Sequence, residues 1–136
     1  MPFDSSLIGK SSEPRTFEVR EEAVRRFMEA AGDPALQSGA PIDYAPSTFP
    51  TTFRIGIPGV ELDGSKMQLI HGEQSYSYIR RLRVGEQVTC TSRIEDMRER
   101  SGKSGSMTIV VSETSGVDQE QQQVFTARST LIVRQK

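Results

Sequence analysis

Few side chains in this sequence have the chemistry of a catalyst or a metal ligand. The chain contains one histidine, His71, and one cysteine, Cys90. A zinc site of the clustered Cys/His kind and an internal disulfide are therefore excluded, and we expect no metal and no other cofactor. A cysteine nucleophile needs a nearby base. Cys90 alternates with Val88 and Ser92 in a predicted strand, so it is interpreted as a buried, inert thiol.

Three residues are candidates for proton transfer: Asp33, His71 and Glu73. Asp33 lies between Gly32 and Pro34, where an aspartate is typically a turn residue that accepts hydrogen bonds from local backbone N–H groups. His71 lies at the head of a predicted strand and is typical of a hydrogen-bonded structural group, with a role in a ligand pocket or a subunit interface as the alternative. Because alternate strand residues share a face, His71 and Glu73 can form an acid–base pair or an interface salt link.

The composition favours one globular domain over residues 1–136, with 35% hydrophobic residues and a mean hydropathy of −0.47. The formal net charge of −1 gives no electrostatic reason to expect a nucleic-acid or membrane-surface partner. No apolar run approaches the ~20 residues that cross a bilayer. The start, Met1-Pro2-Phe3-Asp4, does not resemble a signal peptide, so we expect a cytoplasmic protein.

Two helices are predicted before a run of strands. The first covers about Arg20 to Ala31, ends at Gly32, and places five apolar residues on one face: Ala23, Val24, Phe27, Met28 and Ala31. After a loop over 33–46, Ser47 or Thr48 can cap a second helix, and Pro50 suits its first turn. We expect that helix to end at Pro58-Gly59, before a loop over 59–66.

The remaining sequence predicts an antiparallel sheet. Alternating segments begin at Met67, Val88, Met107 and Val124, with turns over 101–105 and 116–120. Together with a short strand or loop at Leu7-Ile8-Gly9, the pattern predicts a four-strand meander whose apolar face is covered by the helices. The fold class is therefore α+β, an antiparallel sheet wrapped around a central helix, and Phe27, Met28 and Phe53 should be buried.

Five segments, taken in order, resemble the MaoC-like dehydratase family and are most similar to its N-terminal FAS1-like dehydratase branch. The segments span nearly the whole chain: Ala31-Gly32-Asp33, Ala45-Pro46-Ser47-Thr48-Phe49-Pro50, Leu69-Ile70-His71-Gly72-Glu73-Gln74-Ser75-Tyr76-Ser77-Tyr78, Arg80-Arg81-Leu82-Arg83-Val84-Gly85-Glu86 and Phe125 to Arg134. In the fourth segment, Arg81 replaces the family's proline and Glu86 its aspartate. The resemblance implies a hotdog fold.

The resemblance also implies a reaction. Members hydrate a 2-enoyl thioester or dehydrate a (3R)-hydroxyacyl thioester, which requires an acid–base pair and fixed N–H donors for the thioester oxygen. The donors are expected at the start of the central helix, where the dipole favours negative charge. The substrate-binding residues implied for this chain are Ser47, Thr48, Phe49, His71 and Gln74.

The chain departs from the family at the acid–base pair. Catalytic members carry the pattern glycine-aspartate-x-asparagine-proline-x-histidine after the long helix, whereas here Asp33 is followed by Ala35-Leu36 and the histidine position holds Ser38. A serine cannot carry protons as imidazole does near neutral pH. The chain therefore resembles the subunit that shapes the acyl tunnel for a catalytic hotdog partner. We expect a homodimer or heterodimer that acts on an acyl-CoA or acyl-carrier-protein thioester.

Two other functions remain open. One is a non-catalytic acyl-binding or scaffolding hotdog protein. The other is an acyl-CoA thioesterase, which would need a carboxylate in the central helix region, although residues 48–60 contain no Asp or Glu. Basic residues in strand ends and turns are typical of a solvated edge, but they can also meet CoA phosphates or an acidic carrier protein: Arg80, Arg81, Arg83, Arg98, Arg100 and Lys103.

Overall fold

In the computed structural model, which describes residues 4–59, 64–103 and 105–135, an α-helix packs against a curled five-stranded antiparallel sheet. Part of the predicted loop over 59–66 (residues 60–63) and Ser104 of the predicted turn over 101–105 lie outside the described residues. The regular elements are α1 (Glu21–Ala31), β1 (Arg15–Glu18), β2 (Met67–Tyr78), β3 (Gln87–Gly102), β4 (Gly105–Val117) and β5 (Gln123–Gln135).

The strand order is β1-β3-β4-β5-β2. The predicted meander is therefore correct for β3, β4 and β5 and wrong for β2, which pairs with β5 along Met67–Tyr78. The outer edge of β3 is already occupied, because β1 pairs with it from Arg15↔Cys90 to Glu18↔Gln87. β2 joins the other side of the sheet instead and forms its edge there.

The helix α1 has the predicted bounds within one residue. Glu21 and Glu22 occupy its first turn, where negative charge suits the helix dipole, and Gly32 ends it in the left-handed conformation (φ 68°). Val24 and Met28 are buried in the same apolar cluster as Phe125. Phe27 is only half-buried, so its predicted burial is correct in part.

The second predicted helix is wrong beyond its first turn. The chain forms only a four-residue 3-10 helix, Phe49–Thr52, and Thr48 at its start makes no side-chain capping hydrogen bond. The β-branched pair Thr51-Thr52 is a poor helix former, and Gly56 (φ 79°) takes the left-handed conformation beyond it. Phe53 is consequently half-buried rather than buried.

Two further 3-10 helices are present, at Ser5–Leu7 and at Pro34–Ser38. The first lies at the predicted short strand or loop around Leu7, whereas the first strand begins at Arg15, and the second lies in the predicted loop over 33–46. The core has two parts. The larger cluster surrounds Phe125, Leu82 and Val24, and the smaller one contains Ile94, Met97, Val110 and Val133. No α-helix in the described part of the chain is long and apolar enough to cross a membrane.

Candidate functional site

The sheet has two distinct faces, which the alternation along β5 defines. The face that we call inner carries Phe125, Ala127, Ser129, Leu131 and Val133, and the outer face carries Thr126, Arg128, Thr130 and Ile132. Phe125, Ala127 and Val133 are buried, whereas Arg128 is exposed. The inner face therefore supports the core and any enclosed site.

A groove lies on the inner face, between the sheet and residues 50–57. It has two adjoining lobes of about 440 and 540 Å³. Both lobes are lined by Thr51, Phe53, Ile55, His71, Thr114 and Ser129. The first lobe also reaches Gln74 and Tyr76 on β2, and the second reaches Ser92 on β3. Among the residues that the structure describes, no aspartate or glutamate lines either lobe.

Aromatic contacts fix the wall opposite the sheet. Phe53 stacks on Phe17 with ring centroids 4.7 Å apart, and its edge contacts Phe49 at 5.7 Å. Phe49 in turn meets Phe27 of α1 edge-to-face at 5.6 Å. These contacts replace the missing helical hydrogen bonds as the means by which residues 49–53 are held over the sheet.

A β-bulge in β2 separates two of the predicted proton-transfer residues. His71 lies opposite Leu131 and Glu73 opposite Thr130, so Gly72 is an extra residue in β2. Leu131 and Thr130 are adjacent on β5 and point to opposite faces. His71 therefore faces the groove and Glu73 the outer face, and the hypothesis that they act together as an acid–base pair is wrong.

The bulge restores Gln74 to the inner face, opposite Ser129. His71 and Gln74 thus lie in the same groove, as their shared assignment to substrate binding requires. Both side chains are exposed to solvent in the groove. That they contact a substrate stays a prediction.

Asp33 belongs to a different part of the molecule. Its carboxylate accepts a hydrogen bond from the backbone N–H of Ala35 at 3.0 Å and caps the 3-10 helix Pro34–Ser38. This is the turn role that its position between glycine and proline predicted. Asp33 lines a separate depression with Ser38, Tyr44 and Arg81, so the groove does not bring it together with His71.

The predicted thioester-binding segment lies beside the groove. The hydroxyl of Tyr78 donates to the carbonyl oxygen of Ser47, which ties this segment to β2. The Phe49 N–H donates to the carbonyl of Pro46 at 2.9 Å, so it already has a partner in this conformation. Ser47 and Thr48 are exposed, whereas the Phe49 ring is buried.

Burial suppresses the acidity of three groups on or beside the inner face. It raises the pKa of the Cys90 thiol to about 12, so the thiolate is not available at neutral pH. Burial, together with the nearby Tyr76, raises the pKa of Tyr78 to about 12. The pKa of Tyr76 is also raised by burial. Cys90 is the inert thiol that its strand position predicted, and both phenols remain protonated.

Two of the basic residues that were candidates for phosphate contacts have carboxylate partners within the chain. Arg80 binds Glu86 through two hydrogen bonds of 2.9 and 2.7 Å and Asp118 through a third of 3.1 Å. Arg98 pairs with Asp96 at 2.9 Å. Arg81, in the position of the family's proline, lies over the Tyr44 ring at 4.3 Å.

Sequence reasoning missed the inner-face residues of the central strands. Ser112, Thr114 and Ser129 line the groove, yet none was a candidate. Their places in predicted strands were visible in the sequence, but the strand order that aligns them was not.

Comparison with known proteins identifies the relatives of this chain. The family described as the FAS1-like dehydratase domain region matches residues 6–127. A UPF0336 protein of Streptomyces coelicolor is 38% identical over 119 residues, which covers 75% of this chain and 78% of the relative. A UPF0336 protein of Streptomyces avermitilis is 32% identical over 152 positions, covering 98% of this chain and 97% of the relative. That alignment is longer than this chain, so the relative has segments that this chain lacks.

Solved structures share the fold at low sequence identity. A C-terminally truncated HadBC (3R-hydroxyacyl-ACP dehydratase) complex from Mycobacterium tuberculosis matches with a TM-score of 0.73, 20% identity, and coverage of 97% of this chain and 99% of that chain. The (R)-hydratase of A. caviae involved in PHA biosynthesis matches with a TM-score of 0.62, 18% identity, and coverage of 91% and 94%. The sheet and helix described above are thus a hotdog fold, as predicted.

Proposed function

Because the chain belongs to the FAS1-like dehydratase domain region family, we propose that it is a component of an (R)-specific enoyl-thioester hydratase or (3R)-hydroxyacyl-thioester dehydratase. Its role is to shape the acyl tunnel for a partner hotdog subunit that supplies the aspartate and histidine. The substrate is an acyl-CoA or an acyl-carrier-protein thioester.

The composition of the groove carries this proposal. Aromatic and aliphatic side chains from both walls (Phe53, Ile55, Tyr76 and Phe125) give it the apolar surface that an acyl chain needs. It also holds the single imidazole of the chain, His71, but no described carboxylate to pair with it. Addition of water across an enoyl thioester needs both a base and an acid. A groove that binds an acyl chain but lacks a complete acid–base pair fits the tunnel-forming role.

The position of β2 supports a partner. β2 forms one edge of the sheet and also lines the groove through His71, Gln74 and Tyr76. An exposed sheet edge is normally paired or covered. A second hotdog subunit added at this edge would extend the sheet and bring its own catalytic residues next to the groove. The matched HadBC structure is a complex, a 3R-hydroxyacyl-ACP dehydratase.

The other two functions have weaker support. A thioesterase would need a carboxylate facing the thioester, and no described lining residue is an aspartate or glutamate. A scaffolding protein would not need an accessible groove with an apolar lining. Acyl binding without any catalytic partner remains the second candidate, and the groove itself favours it over scaffolding.

The test is a crotonyl-CoA hydration assay on the pure chain, alone and mixed with a hotdog protein from a neighbouring reading frame that carries the glycine-aspartate-x-asparagine-proline-x-histidine pattern. We expect the chain alone to be about 10²–10⁴-fold slower than the mixture. Asp33→Asn should leave the mixture unchanged, since Asp33 caps a turn away from the groove. A turnover of ~10 s⁻¹ by the chain alone would contradict the tunnel-forming role.

A further inference from the structure

Four hydroxyl side chains line the floor of the groove, and we call them the hydroxyl band: Ser92, Ser112, Thr114 and Ser129. They lie in register across three adjacent strands. Ser92 is opposite Thr114, and Ser112 is opposite Ser129. Cross-strand partners point to the same face, so the band forms one continuous surface toward the groove.

The hydroxyl band divides the apolar core. On one side, Cys90 and Phe125 belong to the larger cluster, and on the other side Val110 and Val133 belong to the smaller one. A sheet face that is covered by other parts of the chain is ordinarily apolar throughout. Four hydroxyls at the centre of such a face therefore need an explanation beyond packing.

The hydroxyls are available to a ligand. In the described parts of the chain, none of the four side-chain oxygens makes a hydrogen bond to another residue, although Ser92 is only 3% exposed. No described side-chain oxygen or nitrogen is both fully buried and unpartnered. The four oxygens consequently open into the groove, where water or a bound molecule can reach them.

A plain alkyl chain in this groove would displace water from the hydroxyls without offering them any hydrogen-bond partner. We propose that the groove accepts an acyl chain that carries hydroxyl or keto oxygens along its body, in preference to a plain alkyl chain. The inference rests on the proposed function, because it takes the bound acyl chain to be part of a thioester. The apolar walls at Phe53 and Ile55 would hold the carbon skeleton while the floor binds its oxygens.

The spacing of the band limits how many oxygens it can bind. Neighbouring strands are about 4.8 Å apart, and residues two positions apart on a strand are about 7 Å apart. Because the band crosses three strands, it is a patch of roughly 10 by 7 Å, which suits one or two oxygen atoms near the middle of the acyl chain. The thioester oxygen itself is not required to lie there.

The experiment compares two acyl thioesters of equal length. Dissociation constants are measured by calorimetry for decanoyl-CoA and for its analogue with a hydroxyl at mid-chain, using the full chain with and without the catalytic subunit. We expect the hydroxylated ester to bind about tenfold more tightly, the value of one well-made hydrogen bond. The double variant Thr114→Val/Ser129→Ala should lose this preference. Thr126→Val, on the outer face, is the matched control and should keep it.

Each result separates this inference from the proposed function. Equal affinity for both esters in the unmodified protein overturns the role of the hydroxyl band but leaves thioester binding intact. If neither ester binds, the same comparison is made with the two free fatty acids. A preference for the hydroxylated acid that the double variant abolishes then supports the band while overturning the thioester assignment. No binding of either acid overturns both.

Discussion

His71 and Glu73, two positions apart on β2, face opposite sides of the sheet because Gly72 is an extra residue between them. The groove therefore contains the imidazole without the neighbouring carboxylate. This arrangement gives the two side chains separable roles. His71 can contact a ligand in the groove, whereas Glu73 can act only on the outer surface.

The first prediction tests these roles in a mixture of the chain with the proposed catalytic subunit. His71→Ala should lower kcat/KM for crotonyl-CoA hydration by about tenfold or less, the loss of one lining contact. Glu73→Gln, two residues away, is the control and should have no effect. A loss of about 10²–10⁴-fold in His71→Ala would instead assign proton transfer to His71. Equal losses in both variants would contradict the separation of the two faces.

The second prediction concerns the contact between Gly116 and Phe125. The Phe125 ring covers Gly116 so closely that a Cβ atom at position 116 would lie 2.3 Å from a ring carbon. Phe125 is 1% exposed and cannot move without opening the core. Gly116→Ala should therefore destabilise the fold by about 1–3 kcal/mol, the usual effect of overpacking.

Denaturant titration measures this effect. Gly102→Ala is the control, because a Cβ atom there meets nothing within 4 Å. It should change the free energy of unfolding by less than about 0.5 kcal/mol. A Gly116→Ala variant as stable as the unmodified chain would show that Phe125 does not occupy the described position.

The third prediction follows from the ion cluster at Arg80. Burial acts to raise the pKa of Glu86, but the hydrogen bonds from Arg80 and from the backbone N–H of Arg83 outweigh it and hold that pKa below its ordinary value of 4.5. A carboxyl whose pKa is lowered by folding contributes stability above its unfolded pKa. That contribution is lost as pH falls below about 4.5 and through the lower folded value.

Arg80→Ala should destabilise the chain by about 1–2 kcal/mol at pH 7, because Glu86, whose side chain is 15% exposed, would lose its partner. The loss should shrink as Glu86 becomes protonated in acid. Arg25→Ala removes an exposed i,i+4 pair with Glu21 and is the control, with an expected effect below about 0.5 kcal/mol. Thermal unfolding from pH 7 down to pH 3.5 measures both. An Arg80→Ala penalty that grows in acid would contradict the assignment.

Local signals in the sequence predicted most of the helix and strand positions, but they did not predict which strands pair with each other. The helix α1 could be predicted because its apolar spacing, acidic first turn and final glycine all agree. The strands β2 to β5 could be predicted from their alternation. The pairing of β2 with β5 could not, because β1 takes the edge of β3 and nothing local in the sequence indicates this competition.

The candidate site was predictable only in part for a similar reason. His71 and Gln74 could be named, and the turn role of Asp33 follows from its neighbours. Glu73 faces the other side of the sheet from His71 because Gly72 forms a one-residue bulge. A prediction that strand side chains strictly alternate between the two faces does not reveal such a bulge. The second helix was predicted from a possible cap at Ser47 or Thr48 and from Pro50 in its first turn. The β-branched pair Thr51-Thr52 and the left-handed Gly56 instead favoured a short turn.

The last prediction is that β2 mediates association. β2 is twelve residues long, forms a sheet edge, and exposes Leu69 and Ile70 at 39% each. A long exposed edge with apolar side chains is a template for pairing with another strand. We therefore expect a dimer by light scattering at tens of micromolar, either of two copies or with the catalytic subunit.

Ile70→Lys should raise the dissociation constant of the dimer by at least about tenfold, because lysine on an edge strand disfavours edge-to-edge pairing. The mass measured by light scattering should then move toward that of the monomer. Ile79→Lys is the matched control. Ile79 is 71% exposed and lies just beyond the end of β2 at Tyr78, so the same charge there should leave the mass unchanged. A strictly monomeric chain, both alone and with the catalytic subunit, would contradict association through β2. Equal dissociation by both variants would also contradict it, since the added charge rather than its place on β2 would then explain the effect.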